Sequence, residues 1–248
     1  MVGLSRENDM TLVWWFAFLA VTIFLLYFPI AHVVLKALRQ AYSARSSKYD
    51  RVVCLTFDDG PDPASTPAIL EILRAQGVLA TFFVLGKNAE MHPDVIAAMA
   101  EGGHEIGEHG YCHLHPWKSM PWSYLNDLVE GHKTLSRLLG SNEWKRYRPT
   151  FGKANALTFV FAWLFRKSLT FWNIDAHDYQ EESEQSLVGN VLSQIHEAPG
   201  AAIVLLHDGR TRRWQGSASV TAAAVEQICD GLLKEGYQFR TVSELTAT

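Results

Sequence analysis

Val52-Val53-Cys54-Leu55-Thr56-Phe57-Asp58-Asp59-Gly60-Pro61 is a continuous apolar and β-branched run stopped by two carboxylates, a glycine and a proline. That pattern predicts a buried strand ended by a turn. A helix is expected next, with Thr66 as its N-cap, Pro67 at its first position and Gly77 beyond its end; Ile69, Ile72 and Leu73 form its apolar face. A second strand covers 79–84, and a second helix covers 94–101 and is closed by Gly102.

Outward from this unit the alternation continues. Strands are expected at 105–109, 145–148, 169–174, 201–206 and 238–242, with helices at 124–139, 154–166, 186–196 and 217–234. Seven strands alternating with helices define an α/β domain on a parallel sheet, doubly wound or closed into a barrel. In such folds the carboxyl ends of the strands share the face where ligands bind. Asp58 and Asp59, His109, Arg148, Asp175 and Asp178, and His207 all fall at or just beyond such an end, so distant residues converge on one pocket.

The chain has 248 residues, 48% hydrophobic and 19% charged, which suits one sizeable core. A net charge of −4 with no basic stripe in the globular part excludes a nucleic-acid partner, and no feature calls for a protein partner. The three cysteines, Cys54, Cys112 and Cys229, are too dispersed for a disulfide framework or a C-x-x-C site. Cys54 and Cys229 read as core residues, and Cys112 as a free thiol.

From 10 to 35 there is no Asp, Glu, Lys or Arg. As a helix that run would cross a hydrocarbon core of about 30 Å, with Trp14, Trp15 and Tyr27 placed for the interfacial belts. A cleaved signal peptide or a buried helix is the alternative. The expected order is an N-terminal tail (1–9), one transmembrane helix (10–35), a basic linker (36–50) and a catalytic domain (51–248). Lys36, Arg39, Arg45, Lys48 and Arg51 outnumber Arg6, so the positive-inside rule predicts a single-pass protein whose domain faces the cytoplasm, with membrane lipid as a partner.

Asp59, His109 and His113 make a set of two histidines and one carboxylate, which leaves a coordination position open for catalysis by a divalent ion, zinc first among them. Alone, the His-x-x-x-His pair reads by default as solvated imidazoles, and Asp58-Asp59 as a polar turn. Asp58 is placed to act as general base towards an attacking water, and His207 to protonate a leaving nitrogen. Arg148 would keep Asp58 ionised and Asp178 would favour protonated His207. Singly, each also reads as a surface ion pair.

Thr56-Phe57-Asp58-Asp59-Gly60-Pro61 resembles the first motif of the polysaccharide deacetylase family (NodB homology domain, carbohydrate esterase family four). Gly103 to Gly107 leading into His109-Gly110-Tyr111-Cys112-His113 is similar to its metal-binding motif. Arg148-Pro149-Thr150-Phe151-Gly152, Asp175-Ala176-His177-Asp178-Tyr179 and Leu205-Leu206-His207 resemble the remaining three in order. The resemblance implies a distorted (β/α) barrel of about seven parallel strands that hydrolyses an N-acyl group, acetyl, from an amino sugar. It implies Asp58 as base, His207 as acid, Arg148 and Asp178 as their orienting partners, and Asp59, His109 and His113 as metal ligands. It adds the backbone N–H of Phe151 as an oxyanion donor and Leu205 and Tyr179 as walls of the acyl pocket.

Three departures stand out: Gly110 replaces a Ser or Thr whose hydroxyl would steady the loop, Tyr179 replaces a Trp, and Thr150 replaces a Pro. Family members act on chitin, peptidoglycan, other glycans and lipid-linked sugars. The aromatic segments 154–165 and Trp117, Met120 and Trp122 would serve either as core or as an apolar lip for a polyprenyl-linked sugar. A catalytically inactive sugar-binding or scaffold protein is the contrasting class, and the intact polar set argues against it.

Overall fold

The computed structural model describes residues 4–25, 27, 29, 31–140, 145–180, 183–209 and 218–246. Helices α1 (Leu4–Leu25) and α2 (Ala31–Ser46) precede β1 (Val52–Asp58), α3 (Thr66–Gln76), β2 (Thr81–Val84), α4 (Gly86–Met91), α5 (Pro93–Glu101) and β3 (Glu105–Glu108). Then come α6 (Pro121–Leu139), β4 (Arg146–Tyr147), α7 (Ala156–Leu164), β5 (Ser168–Leu169), β6 (Ile174–Asp175), α8 (Glu184–Glu197), β7 (Ala202–His207), α9 (Ala218–Lys234), β8 (Gln238–Phe239) and α10 (Val242–Thr246). Residues 1–3 of the tail, Ser217 at the expected start of a helix, and the domain's last residues, 247 and 248, lie outside the described residues.

Seven parallel strands run in the order β5-β4-β3-β2-β1-β7-β6, and β8 pairs with β1 off this path. The sheet curls into a half-barrel. The expected strand 169–174 divides, because its backbone changes partners midway. Thr170 N–H donates to the Tyr147 carbonyl at 2.9 Å, and Asn173 N–H donates to the Ile203 carbonyl at 3.2 Å. One segment thus links opposite edges without continuing a ladder, and leaves β5 and β6 at the two ends of the sheet.

The period of two along β1 sorts its side chains between two environments. Val53, Leu55 and Phe57 enter the main core. Val52 and Cys54 join a smaller cluster inside the curl, and Thr56 and Asp58 follow them on that face. In β7, Ala202, Val204 and Leu206 pack outward in the same way. The odd-numbered residues Ile203, Leu205 and His207 face inward, towards the site end. The register sets Asp58 beside His207.

Helix α3 begins at Thr66 with Ser65 in the capping position, so Thr66 is not the N-cap. Its hydroxyl is occupied elsewhere: it donates to Asp208 Oδ2 at 2.7 Å and accepts from Asp62 N–H at 2.9 Å. Gly77 closes the helix in the left-handed conformation (φ 64°), where a Cβ would be strained.

The expected transmembrane helix, 10–35, includes residues 26, 28 and 30, which lie outside the described residues. Leu4–Leu25 and Ala31–Ser46 are helical on either side of them. Among the described residues no helix is long and apolar enough to cross a membrane. Ala31 and Leu35 are instead buried, Leu35 in a cluster with Ala154 and Phe171. The expected linker 36–50 is helical to Ser46. The two aromatic segments divide between core and surface: Phe161 is buried, while Trp122, Trp163 and Leu164 are exposed.

Candidate active site

At the carboxyl end of β1, Asp58 ends the ladder and Asp59 turns into the left-handed region at φ 73°. Asn88 Nδ2 donates to the Asp59 carbonyl at 2.7 Å and braces that turn. Beyond β3, His109 is almost fully buried. Its Nδ1–H donates to the Arg148 carbonyl at 2.7 Å, which leaves the Nε2 lone pair free to face the site. His113, also at positive φ (59°), closes the loop from the other side.

The Asp59, His109 and His113 donors lie within 4.8 Å of one another. Asp59 Oδ1 is 3.5 Å from His109 Nε2 and 3.3 Å from His113 Nε2, yet it is buried without a hydrogen-bond partner. Burial raises the Asp59 pKa to about 7, with Asp58, Asp178 and Asp208 adding to the rise against His207. Burial lowers both His109 and His113 to about 3, so both imidazoles are neutral. An orphaned carboxylate oxygen facing two neutral imidazole nitrogens is the donor set a divalent cation satisfies. The residues fit a metal.

Arg148 lies fully buried against the Phe83 ring, 4.1 Å from its centroid. Its Nη1 donates to Asp58 Oδ1 at 2.7 Å and to Thr56 Oγ1 at 2.8 Å. Burial raises the Asp58 pKa, and Arg148 and His207 oppose the rise. Across the sheet, Asp178 grips His207 twice: Oδ1 accepts from the ring Nδ1 at 2.8 Å, and Oδ2 from the backbone N–H at 2.8 Å. Burial alone would lower His207. The Asp178 carboxylate, helped by Asp59 and Asp58, outweighs it and raises the pKa to about 10. One side of the cleft therefore holds a carboxylate pinned by a guanidinium, and the other a protonated imidazole.

These groups open on a cleft of about 400 Å³ whose walls include Phe151, Trp172, Tyr179 and Leu205. Of the expected catalytic, metal-binding and pocket residues, Asp58, Asp59, His109, His113, Phe151, Tyr179, Leu205 and His207 line it, and Arg148 and Asp178 stand behind it. Asp175 lines it too. The Tyr179 ring meets His207 edge-on at 5.8 Å. Thr150 Oγ1 donates to the Leu114 carbonyl at 2.6 Å, tying the third motif to the histidine loop.

Gly110 proves to be a requirement of the packing. It sits at φ 85°, and a Cβ there would come within 2.6 Å of Asp127 Oδ2. Asp127 steadies the loop in place of the missing hydroxyl: Tyr111 N–H donates to it at 3.1 Å and Cys112 N–H at 2.6 Å. All three cysteines are unpaired, Cys112 exposed and the others buried.

Sequence reasoning missed Asp127 and Asp208. Asp208 is fully buried, with its N–H donating to the Asp58 carbonyl at 3.2 Å and its carboxylate so close to Gly60 that a Cβ there would overlap it. Burial raises its pKa to about 7, and Thr66 holds one oxygen. Its position beside His207 at a strand end was the available signal. Trp172 was missed because it lies inside the stretch taken for a strand.

A curled parallel sheet with a carboxylate–guanidinium pair, a carboxylate–imidazole pair and a three-donor cation site at its carboxyl end defines a hydrolytic enzyme. The model of the polysaccharide deacetylase family matches residues 45–162. A peptidoglycan-N-acetylglucosamine deacetylase of Bacillus cereus is 35% identical over 198 residues, covering 79% of this chain and 88% of the relative. The crystal structure of the Bc1960 peptidoglycan N-acetylglucosamine deacetylase superposes with a TM-score of 0.69 at 32% identity, covering 80% of this chain and 89% of the other. Peptidoglycan deacetylase PdaC from Bacillus subtilis superposes at 0.67 with 27% identity, covering 79% and 90%.

The chain belongs to the polysaccharide deacetylase family, the NodB-homology carbohydrate esterases of family four. Membership makes it a carbohydrate deacetylase of the hydrolase class, in a family that is metal-dependent in general.

Proposed function

We propose that this protein removes the N-acetyl group of an N-acetylglucosamine-type amino sugar, in a glycan or its polyprenyl-linked form, and releases acetate. The orphaned Asp59 Oδ1 facing His109 and His113 carries the proposal, since no substrate-free hydrogen-bond network accounts for it. These three residues would hold one divalent ion, zinc by the nitrogen and oxygen donor set. When bound, it supplies Lewis acidity to the acyl oxygen and to the attacking water.

Asp58 takes the proton from that water as its oxygen adds to the acyl carbon. Its raised pKa makes it a stronger base, and Arg148 keeps it ionised. The developing oxyanion is met by the backbone N–H of Phe151. His207 then delivers its proton to the sugar nitrogen as the C–N bond breaks, with Asp178 holding the ring. Leu205 and Tyr179 bound the space left for the methyl group.

Purified full chain should contain one zinc per molecule and release acetate from an N-acetylglucosamine oligomer. His109→Ala and His113→Ala should lose metal and activity together, whereas Asp58→Asn keeps the metal and loses activity by about 10²–10⁴-fold. Full activity in Asp58→Asn would remove it from the base role. Bound metal with no acetate release from any amino sugar would favour a sugar-binding protein.

Membrane lipid is the second proposed partner. Trp14, Trp15 and Phe16 on α1 are exposed, in a segment without charge.

A further inference from the structure

Helix α2 reaches the wall of the cleft. Arg39 Nη2 donates to the Gly152 carbonyl, and its guanidinium lies 5.4 Å from the Phe171 ring centroid and 5.6 Å from that of Trp172. The contact is close enough that a Cβ on Gly152 would come within 2.5 Å of Arg39 Nη2 and 2.6 Å of Trp172. Around it, Leu35 packs with Ala154 and Phe171, and Asn155 Nδ2 donates to Tyr27 Oη at 2.9 Å. Phe151, Gly152 and Trp172 themselves line the cleft.

Phe151 and Gly152 both hold positive φ, at 57° and 59°. A non-glycine residue there is strained, and such strain persists only where surrounding contacts hold it. The Gly152 carbonyl belongs to the residue following Phe151, so a donor on that oxygen limits rotation of the turn that aims the Phe151 N–H.

We propose that Arg39 is a positioning residue of the active site, and that α2 is part of the catalytic wall. Arg39 holds the Phe151–Gly152 turn through its hydrogen bond, and it holds Trp172 through its planar face. The kinetic part of this inference rests on the oxyanion role given to the Phe151 N–H.

The test uses full-length chain. Arg39→Ala should lower kcat for acetate release from an N-acetylglucosamine oligomer about tenfold with little change in KM, a loss smaller than deleting an oxyanion donor outright. Arg39→Lys should recover only part of it, because an ammonium lacks the planar fork. Added ethylguanidinium should restore part of the Arg39→Ala activity, while metal content and melting midpoint stay at the wild-type values. Hydrogen–deuterium exchange of residues 150–155 should quicken in Arg39→Ala. Unchanged exchange there, or a rate loss that follows metal content or melting, overturns the proposal. If wild-type chain releases no acetate, the deacetylase reading fails while the exchange measurement still decides whether Arg39 positions the turn.

Discussion

Asp178 contributes one carboxylate oxygen to the His207 ring and one to its backbone N–H, so orientation and charge are set by the same residue. The folded pKa of His207, about 10, lies above its ordinary 6.5. The fold thus favours the imidazolium. That stabilisation is complete below about pH 6.5 and is lost as pH rises through about 10. Asp178→Asn should therefore move the alkaline limb of kcat/KM to lower pH, so the loss at about pH 9 exceeds that at about pH 6. A profile lowered evenly at all pH would assign Asp178 to packing alone. Asp58, His109 and His207 were legible in the sequence because each lies at or just beyond a strand end beside turn chemistry, and His113 by its spacing from His109. Asp127 was not, since it sits mid-helix and reads as a solvated face; Asp208 offered only its place after His207, because it acts through Thr66 and Gly60, far away in the chain.

Helices α4 and α6 approach the histidine loop glycine to glycine. A Cβ on Gly131 would lie 2.7 Å from the Gly110 carbonyl, and one on Gly86 would lie 2.9 Å from Gly131 Cα. Gly131→Ala gains about 0.5–1 kcal/mol of helix propensity but meets immovable backbone, where overpacking costs about 1–3 kcal/mol. The net effect should be a lower melting midpoint and weaker metal binding, since the displaced loop carries His109 and His113. Gly189 in α8 has nothing within 4 Å of a Cβ, so Gly189→Ala should raise the midpoint instead. Calorimetry of both variants tests the contrast; equal shifts of one sign would refute it. Helix positions were legible from apolar periodicity, whereas α4 was missed because its six residues are too few to show a period.

The N-terminal segment changes meaning once the chain is folded. Its apolar run predicts a span, while Ala31 and Leu35 near its end are buried, Leu35 against Ala154 and Phe171 of the domain. Orientation at a membrane still follows the flanking cations, Lys36, Arg39, Arg45 and Lys48 against Arg6, so we propose a domain facing the cytoplasm. For a domain on that side we propose a lipid-linked amino sugar as the substrate. A green fluorescent protein fused after Thr248 should then fluoresce, and an alkaline phosphatase fusion should be silent. The opposite pair of results would place the domain outside the cell and make assembled glycan the substrate.

Local chemistry alone determined the strand-and-helix alternation, the polar strand ends and the family, because burial periodicity and turn residues act over a few positions. Tertiary structure decided the rest. It split 169–174 between the two edges of the sheet, since hydrogen-bond partners change within one run. It gave Thr66 to Asp208 rather than to a helix cap. It also set Arg39 against the Gly152 carbonyl, 113 residues away. Such pairings exist only when chain closure brings distant backbone together, and no local pattern records them.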